Sequence, residues 1–266
     1  MSAKKHETTA VAVQDTASLA TQEIQNKALA LAKGPDEFGL SATDIRIATL
    51  CLMQPASGMV SDQKAKLGDL INNEGEKVVA GLDKPIEVIA LYKFETIRSY
   101  QASDGKFVKE EAYTGKKVER DGLEDNIPVR RYHTFNFFVL PVEDIKNGEA
   151  FPVLIRFKSS SYQAGNKFAS FLFKKRHFGK LPYEQTGVFS IERRQNEKKQ
   201  NWAAFAFAEG RKTTEAEQKN AIEMVALINA RKYTILEAED QDAEVISGDA
   251  GSHAKPVVVE GDVLNY

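Results

Sequence analysis

Alternating hydrophobic and polar positions predict several β-strands through the middle of the chain. Residues 45–53 form an apolar run that ends before Pro55, and residues 86–100 form a longer one. Residues 129–142 form a third, strongly aromatic run. Alternation over runs of this kind is typical of strands. Strict alternation along 86–100 would place one set of side chains on a single face: Ile86, Val88, Ala90, Tyr92, Phe94, Arg98 and Tyr100.

Shorter signals lie between these runs. Residues 69–72 and 77–79 flank Gly75 and predict a small hairpin. Residues 101–126 are polar, with Asp-Gly turn signals at Asp104 and Asp121, and predict a long hairpin or loop.

Residues 151–207 predict a strand, a helix and a hairpin in that order. Residues 152–158 are a short apolar run and predict an edge strand. A helix is predicted over 161–177, because serines precede it and Gly179 and Pro182 follow it. Two further strands are predicted at 187–194 and 201–207, joined by a polar tip at 195–200.

Helical patterns also flank this body. Residues 16–32 carry a thin apolar face, and Thr213 or Thr214 is a suitable N-cap for a helix that ends near Lys232. The predicted organisation is a flexible arm with a helix (1–41), a core (42–210), a C-terminal helix (211–234) and a flexible acidic tail (235–266).

The element order predicts a mainly β fold with helices, in the α+β class. Its order is similar to that of an OB-like Greek-key barrel, which has five strands and a helix between strands 3 and 4.

Composition sets limits on the environment of the chain. Its 266 residues include 42% hydrophobic and 28% charged residues, which is ordinary for a globular protein. A single cysteine, Cys51, excludes an internal disulfide and fits a reducing compartment. Neither a signal sequence nor a long apolar segment is evident, so a soluble, cytoplasmic protein with no membrane partner is expected.

Charge is unevenly distributed although the net charge is only −2. Residues 151–200 contain eleven basic and three acidic residues, whereas residues 236–266 contain one basic and eight acidic residues. Aromatic residues are interspersed with the basic ones. Cations bind phosphates and aromatic rings stack on bases, so this combination indicates a nucleic-acid partner.

Three groups of residues are candidates for binding nucleic acid. The hairpin tip offers Arg193, Arg194, Lys198, Lys199 and Trp202, although the tip is equally explained as a solvated turn with a core tryptophan. The helix end offers Lys174, Lys175, Arg176 and Lys180, where cations also suit the helix dipole. The predicted strands offer Arg98, Tyr100, Arg131 and Tyr132.

Motifs for catalysis and metal binding are absent from the sequence. The four histidines are scattered, and one cysteine cannot build a structural zinc site. No phosphate-binding loop, nucleophile elbow or HExxH motif occurs. The expectation is therefore a protein that is not an enzyme and that needs no metal or cofactor.

With these features assembled, the chain resembles the single-stranded-DNA-binding proteins of tailed bacteriophages. Those have an OB-fold core and an acidic C-terminus that ends in an aromatic residue, and this chain ends in GDVLNY at 261–266. Three phrases are similar to phage replication-associated proteins: IATLCLMQPASG (47–58), KLGD (66–69) and FKSSSY (157–162). The resemblance covers residues 42–234.

The resemblance implies sequence-independent binding of single-stranded DNA in phage replication or recombination, inside the host cell. It carries no catalytic residues. The acidic tail is expected to compete with DNA or to recruit replication or recombination proteins. Two alternatives stay open: a strand-annealing recombination mediator that acts as a homo-oligomeric ring or filament, and a virion or host-interaction protein that binds no nucleic acid.

Overall fold

The computed structural model describes residues 46–74, 77–230, 233–235 and 258–259. Its strands are β1 (Arg46–Leu52), β2 (Leu70–Asn72), β3 (Lys77–Ala80), β4 (Ile86–Gln101), β5 (Phe107–Ala112), β6 (Asp121–Glu124), β7 (Ile127–Pro141), β8 (Val153–Phe157), β9 (Gln185–Gln195), β10 (Asn201–Lys212), β11 (Tyr233–Ile235) and β12 (Val258–Val259). Its α-helices are α1 (Gly58–Ser61), α2 (Val142–Asn147), α3 (Tyr162–His177) and α4 (Glu215–Ala230).

The mainly β character with added helices is confirmed. Each predicted strand corresponds to an observed one, and the small hairpin is β2 and β3. The polar segment 101–126 contributes β5 and β6, so it is more ordered than a loop. The helices predicted at 161–177 and after Thr214 are α3 and α4. The helix predicted at 16–32 lies outside the described residues.

One sheet runs through the described part of the chain, in the order β10-β9-β4-β7-β8-β1-β11-β12. Neighbouring strands are antiparallel, except that β1 runs parallel to β8 and β11. The sheet curls into an open half-barrel. β5 and β6 flank the long β4–β7 pair, so they extend the sheet at one end.

The prediction of an edge strand at 152–158 is wrong. β8 pairs with β7 on one side and with β1 on the other, and most of its side chains are buried. α3 therefore follows a short interior strand, and not an edge strand. The five residues of β8 include a single polar one, Arg156, which is too little to distinguish an edge strand from an interior strand by sequence.

α3 packs on the concave face of the half-barrel. Phe168 and Phe171 of α3 join a core that includes Phe137, Phe157 and Phe189. Gly165 permits this approach, because a Cβ at that position would lie 2.5 Å from the Cβ of Phe157. The helix is therefore seated directly against the sheet.

α4 packs on the opposite face of the same sheet. Its Ala221 and Ile228 are buried with Ile89 of β4 and Phe138 of β7. Both faces of the central strands are thus covered, which accounts for the continuous burial of residues 134–141 in the second half of β7.

A β-bulge divides β4 into two halves. Alternate side chains that lie on one face of the sheet in the first half continue on the opposite face in the second half. The register between β4 and β7 shifts between Ala90 and Tyr92. Val88 and Ala90 lie in the concave-face core, whereas Tyr92 and Phe94 pack with the α4 side. The prediction that every second side chain from Ile86 to Tyr100 shares one face is therefore wrong beyond Ala90.

The Gln54 side chain links the segment after β1 to the edge strand β10. Its amide Nε2 donates to the carbonyl of Ala203 (2.9 Å), and its Oε1 accepts from the N–H of Ala203 (3.1 Å). Gln54 follows β1, and Ala203 lies on β10. The Gln54 amide thus satisfies both backbone groups of Ala203 on the outer edge of β10, as the backbone of a neighbouring strand would.

One short strand, β12, lies in the region predicted as a flexible tail, and β11 spans the boundary between that region and the predicted C-terminal helix. β11 pairs with the start of β1, and β12 pairs with β11. Val258 and Val259 therefore belong to a paired strand at the edge of the sheet. The residues between β11 and β12 lie outside the described part.

Candidate nucleic-acid interface

The C-terminal end of α3 exposes large apolar side chains among cations. Phe173 is 72% exposed and Phe178 is 74% exposed, and Leu181 nearby is 49% exposed. Lys174, Arg176, His177 and Lys180 are exposed around them. We call Phe173, Lys174, Arg176, His177, Phe178 and Lys180 the α3-end patch. Exposed phenylalanines forgo burial worth about 1.5–3 kcal/mol each, so this patch is the candidate binding surface.

The end of α3 is geometrically defined, which fixes Phe178. Gly179 has a φ of +71°, and its N–H donates to the carbonyl of Arg176 (2.9 Å). The N–H of Lys180 donates to the carbonyl of Lys175 (2.9 Å). These two bonds form the Schellman motif, for which glycine is favoured. Phe178 is the C-cap residue, where the chain turns away from the sheet.

Two rings of the α3-end patch lie close together. The rings of His177 and Phe178 are 5.4 Å apart in an edge arrangement. Lys175, which the sequence grouped with these residues, is half-buried instead. Its Nζ lies 3.7 Å from Glu209 and over the ring of Phe171. Lys175 therefore anchors α3 to β10, while Lys174 and Lys180 face outward.

Sequence reasoning did not single out Phe173 and Phe178. It counted them among many aromatic residues of segment 151–207. The helical spacing of Phe168 and Leu172 marks the apolar face of α3, and Phe173 lies off that face at 100° per residue. This offset was the signal that could have identified Phe173 as a surface residue.

The hairpin tip between β9 and β10 is a second basic surface. Arg193, Lys198 and Lys199 are exposed, while Arg194 pairs with Glu192 at 3.3 Å. The tip has a defined shape, because the N–H of Gln200 donates to Asn196 Oδ1 (2.9 Å).

Trp202 lies between the two predicted environments, core and surface. Its side chain is partly buried. Its Nε1 is enclosed, and no group in the described part of the chain accepts a hydrogen bond from it. A base could therefore reach only the exposed portion of the ring.

The hairpin tip and the α3-end patch lie at opposite ends of β10. The Lys175–Glu209 contact places the end of α3 near Glu209, and the strands stay paired from there to Asn201. At ~3.3 Å per residue, Glu209 and Gln200 are separated by ~30 Å along the strand. The two groups of predicted binding residues therefore do not form one site.

The assignment of Arg98 and Tyr100 to a binding surface is corrected by their burial. Arg98 is 1% exposed and Tyr100 is 4% exposed. The Arg98 guanidinium lies over the ring of Phe107 and near Glu110 (3.8 Å). The hydroxyl of Tyr100 accepts a hydrogen bond from Lys158 (2.6 Å). The bulge in β4 and the flanking β5 account for this burial, and neither is visible in the alternation pattern.

Arg131 and Tyr132 are also engaged within the protein. Arg131 donates to Glu124 through Nε (2.9 Å) and Nη2 (2.6 Å), and Nη2 also reaches the carbonyl of Leu123 (3.1 Å). Its guanidinium lies against Gly122. Tyr132 is half-buried against Tyr100. The Glu124 carboxylate neutralises the positive charge of Arg131, which a bound phosphate would need.

A hydrogen-bonded chain fixes the other end of α3. His133 Nδ1 lies 3.0 Å from the hydroxyl of Tyr162, the first residue of α3, and His133 Nε2 lies 2.7 Å from Glu95. Burial raises the pKa of Glu95, but hydrogen bonding and charge from Lys93, together with His133, outweigh burial and leave this pKa below its usual value. Burial, and secondarily the charge of Glu95, raises the pKa of Tyr162. Tyr162 therefore stays a neutral hydrogen-bonding group at physiological pH.

Within 46–74, 77–230 and the two short strands, no group of three or more His, Cys, Asp or Glu side chains could hold a metal ion. In the same ranges, no helix is long and apolar enough to cross a membrane.

Comparisons of the chain with protein-family models, curated proteins and solved structures found no match. The phage family therefore stays a resemblance of layout and short phrases, and what it implies stays a prediction.

Proposed function

We propose that this chain is a non-enzymatic protein that binds single-stranded DNA without sequence preference, in phage DNA replication or recombination. The observation that carries the proposal is the exposure of Phe173 and Phe178 on a surface of cations. Aromatic rings accept any base by stacking, because every base has a π-face. Duplex DNA keeps its bases stacked on each other and offers these rings no partner.

Phosphate binding is the second component. Residues 150–183 contain seven Lys or Arg residues and no acidic residue. Lys174, Arg176 and Lys180 would neutralise phosphates beside the stacked bases. Three such contacts on a single strand correspond to a slope of about −2 for log K against log[salt].

We further propose that the half-barrel belongs to the OB-like class. A curled sheet, a helix on its concave face and a long hairpin at its edge support this assignment. OB-folds bind single strands with a basic surface and aromatic rings. The interior strand β8 would be an addition to the five-stranded arrangement.

A protein interface is the second candidate function for the same surface. Phe173, Phe178 and Leu181 expose apolar area beside Arg176, and aromatic residues and arginine are enriched in such interfaces. A virion or host partner, or a further copy of this chain in an annealing assembly, would then cover the patch.

The test is a titration of fluorescently labelled oligothymidine with Phe173→Ala and Phe178→Ala. Loss of one base–aromatic stack is expected to weaken binding by ~1–3 kcal/mol for each variant. Leu123→Ala is the matched control, because Leu123 is also exposed and apolar but lies on β6. Its affinity should equal that of the parent protein.

Affinity that is unchanged in both phenylalanine variants, or a flat salt response, would overturn the proposed interface. Oligomers that dissociate on Phe178→Ala while DNA affinity is retained would favour the protein interface instead.

A further inference from the structure

We infer that the single strand lies lengthwise along the exposed face of α3, from Phe178 back to Gln163, and that Lys167 is a phosphate contact. This inference rests on the proposed function and extends its site by about three helical turns, from Phe173 back to Gln163. It assigns a contact role to polar residues of α3 that lie well before the α3-end patch.

The side chains of α3 divide into two opposite faces. Ala164, Gly165, Phe168 and Phe171 are buried against the sheet. The exposed side chains other than Arg176 recur at intervals of three or four residues, which places them in one stripe along the helix: Gln163, Asn166, Lys167, Ser170, Phe173, Lys174 and His177.

The stripe has the chemistry of a track for a polyanion. α3 contains no Asp or Glu, and none occurs from residue 150 to residue 183. Lys167 supplies a cation, while Asn166 and Ser170 supply uncharged hydrogen-bond donors. Nucleic-acid backbones are bound by side chains of these types. An ordinary solvated helix face carries both signs of charge, so the absence of carboxylates favours phosphate as the occupant.

α3 is held firmly enough to act as a rigid track. Its first residue, Tyr162, is bonded to His133. Just before it, the Ser161 Oγ accepts from the N–H of Phe205 (3.2 Å). At the other end, Lys175 reaches Glu209.

The length of the track limits how many nucleotides it can hold. From Gln163 to His177 the helix rises by ~21 Å at ~1.5 Å per residue. Even nucleotides stacked at the ~3.4 Å spacing of a duplex strand would number about six. The start of α3 lies near Phe205 and its end lies near Glu209. A strand that runs from Phe178 to Gln163 therefore approaches the hairpin tip, but it stops ~16 Å short of Gln200 along β10.

The experiment compares three charge reversals on oligothymidines of increasing length. Lys167→Glu tests the track, Lys198→Glu with Lys199→Glu tests the hairpin tip, and Lys219→Glu is the control. Lys219 is an exposed lysine on α4, against the opposite face of the sheet. Melting temperatures of all variants confirm that each is folded.

For a hexamer, Lys167→Glu is expected to lower affinity at least about fivefold and to reduce the salt slope by ~0.7 for one lost phosphate contact. The tip variant and Lys219→Glu should bind the hexamer like the parent protein. Lys167→Glu that matches Lys219→Glu, while Phe178→Ala still weakens binding, would overturn the track and leave the proposed function standing. Unchanged binding in Phe178→Ala would overturn both.

Discussion

At the scale of single residues, Glu217 shows how one side chain joins three elements. It accepts two hydrogen bonds from Arg211, at 2.6 and 2.9 Å, and one from the N–H of Thr214 at 2.8 Å. The N–H of Glu217 donates to the Thr214 hydroxyl, which completes a capping box at the start of α4. Arg211 also contacts Glu87 of β4 at 3.2 Å. α4 is thereby tied to β10 and β4.

This arrangement predicts a dependence of stability on pH. Hydrogen bonding from Arg211 opposes the effect of burial and lowers the pKa of Glu217 from 4.5 to about 2. The unfolded chain takes up the proton first as pH falls, so the stabilisation is complete above pH 4.5 and is lost between 4.5 and about 2. The shift corresponds to about 3 kcal/mol. Urea unfolding at pH 7 should show a loss of this order in Glu217→Gln.

The control for that measurement is Glu215→Gln, in the same first turn of α4. Glu215 is exposed, so its replacement should change the unfolding free energy by less than about 0.5 kcal/mol. Equal losses in both variants would mean that the helix dipole, and not Arg211, stabilises this end of α4.

The capping box was predictable, because Thr214 and Glu217 have the required spacing and precede an apolar pattern. The pairing of Glu217 with Arg211 was not predictable. Arg211 lies near in sequence, but its position depends on how β10 ends against β4. Arg98 shows the same difficulty, since nothing local in the sequence indicates that a strand arginine will be 1% exposed.

At the scale of elements, the strands were predictable because apolar alternation is a local property. The partners of each strand were not. β8 is an interior strand because β1, about a hundred residues earlier, pairs with it in parallel. The bulge at Leu91 exchanges the faces of the sheet to which alternate side chains of β4 point. The sequence has no glycine or proline there that would indicate a bulge. Both features are set by long-range packing.

Loss of the Gln54 amide is expected to weaken the contact between β10 and the segment after β1. Gln54→Ala leaves the N–H and the carbonyl of Ala203 without these partners, at a cost of about 1–3 kcal/mol for each group that stays buried. Thermal unfolding should detect the loss, and the N–H of Ala203 should exchange faster with solvent. Gln54→Glu separates the two bonds, since it retains the acceptor and removes the donor. A Gln54→Ala protein with unchanged stability and exchange would show that the half-barrel needs no closure at this point.

At the scale of the whole molecule, charge separation was predictable and its geometry was not. The basic segment folds into α3, β9 and β10, so its cations divide between two surfaces ~30 Å apart. A count of charges along the sequence could not reveal that division. The acidic segment likewise begins directly after β11 and contains β12, and these two strands pair with each other at the edge of the sheet beside β1.

The acidic segment has two expected effects, competition with DNA and the contribution of β12 to stability. A simple truncation would remove both at once, so they need separate variants. Residues 236–249 contain six acidic residues and no basic one. A tethered polyanion competes for the cations that bind phosphates, at an effective concentration on the order of millimolar. Replacing these acids by their amides should tighten binding of oligothymidine at low salt and leave the melting temperature unchanged. The gain should vanish at about 1 M salt, where the Debye length is ~3 Å. Deleting residues 258–266 removes β12 and should instead lower the melting temperature. Amide replacements that leave affinity equal at low salt would show that the acidic segment does not compete with DNA.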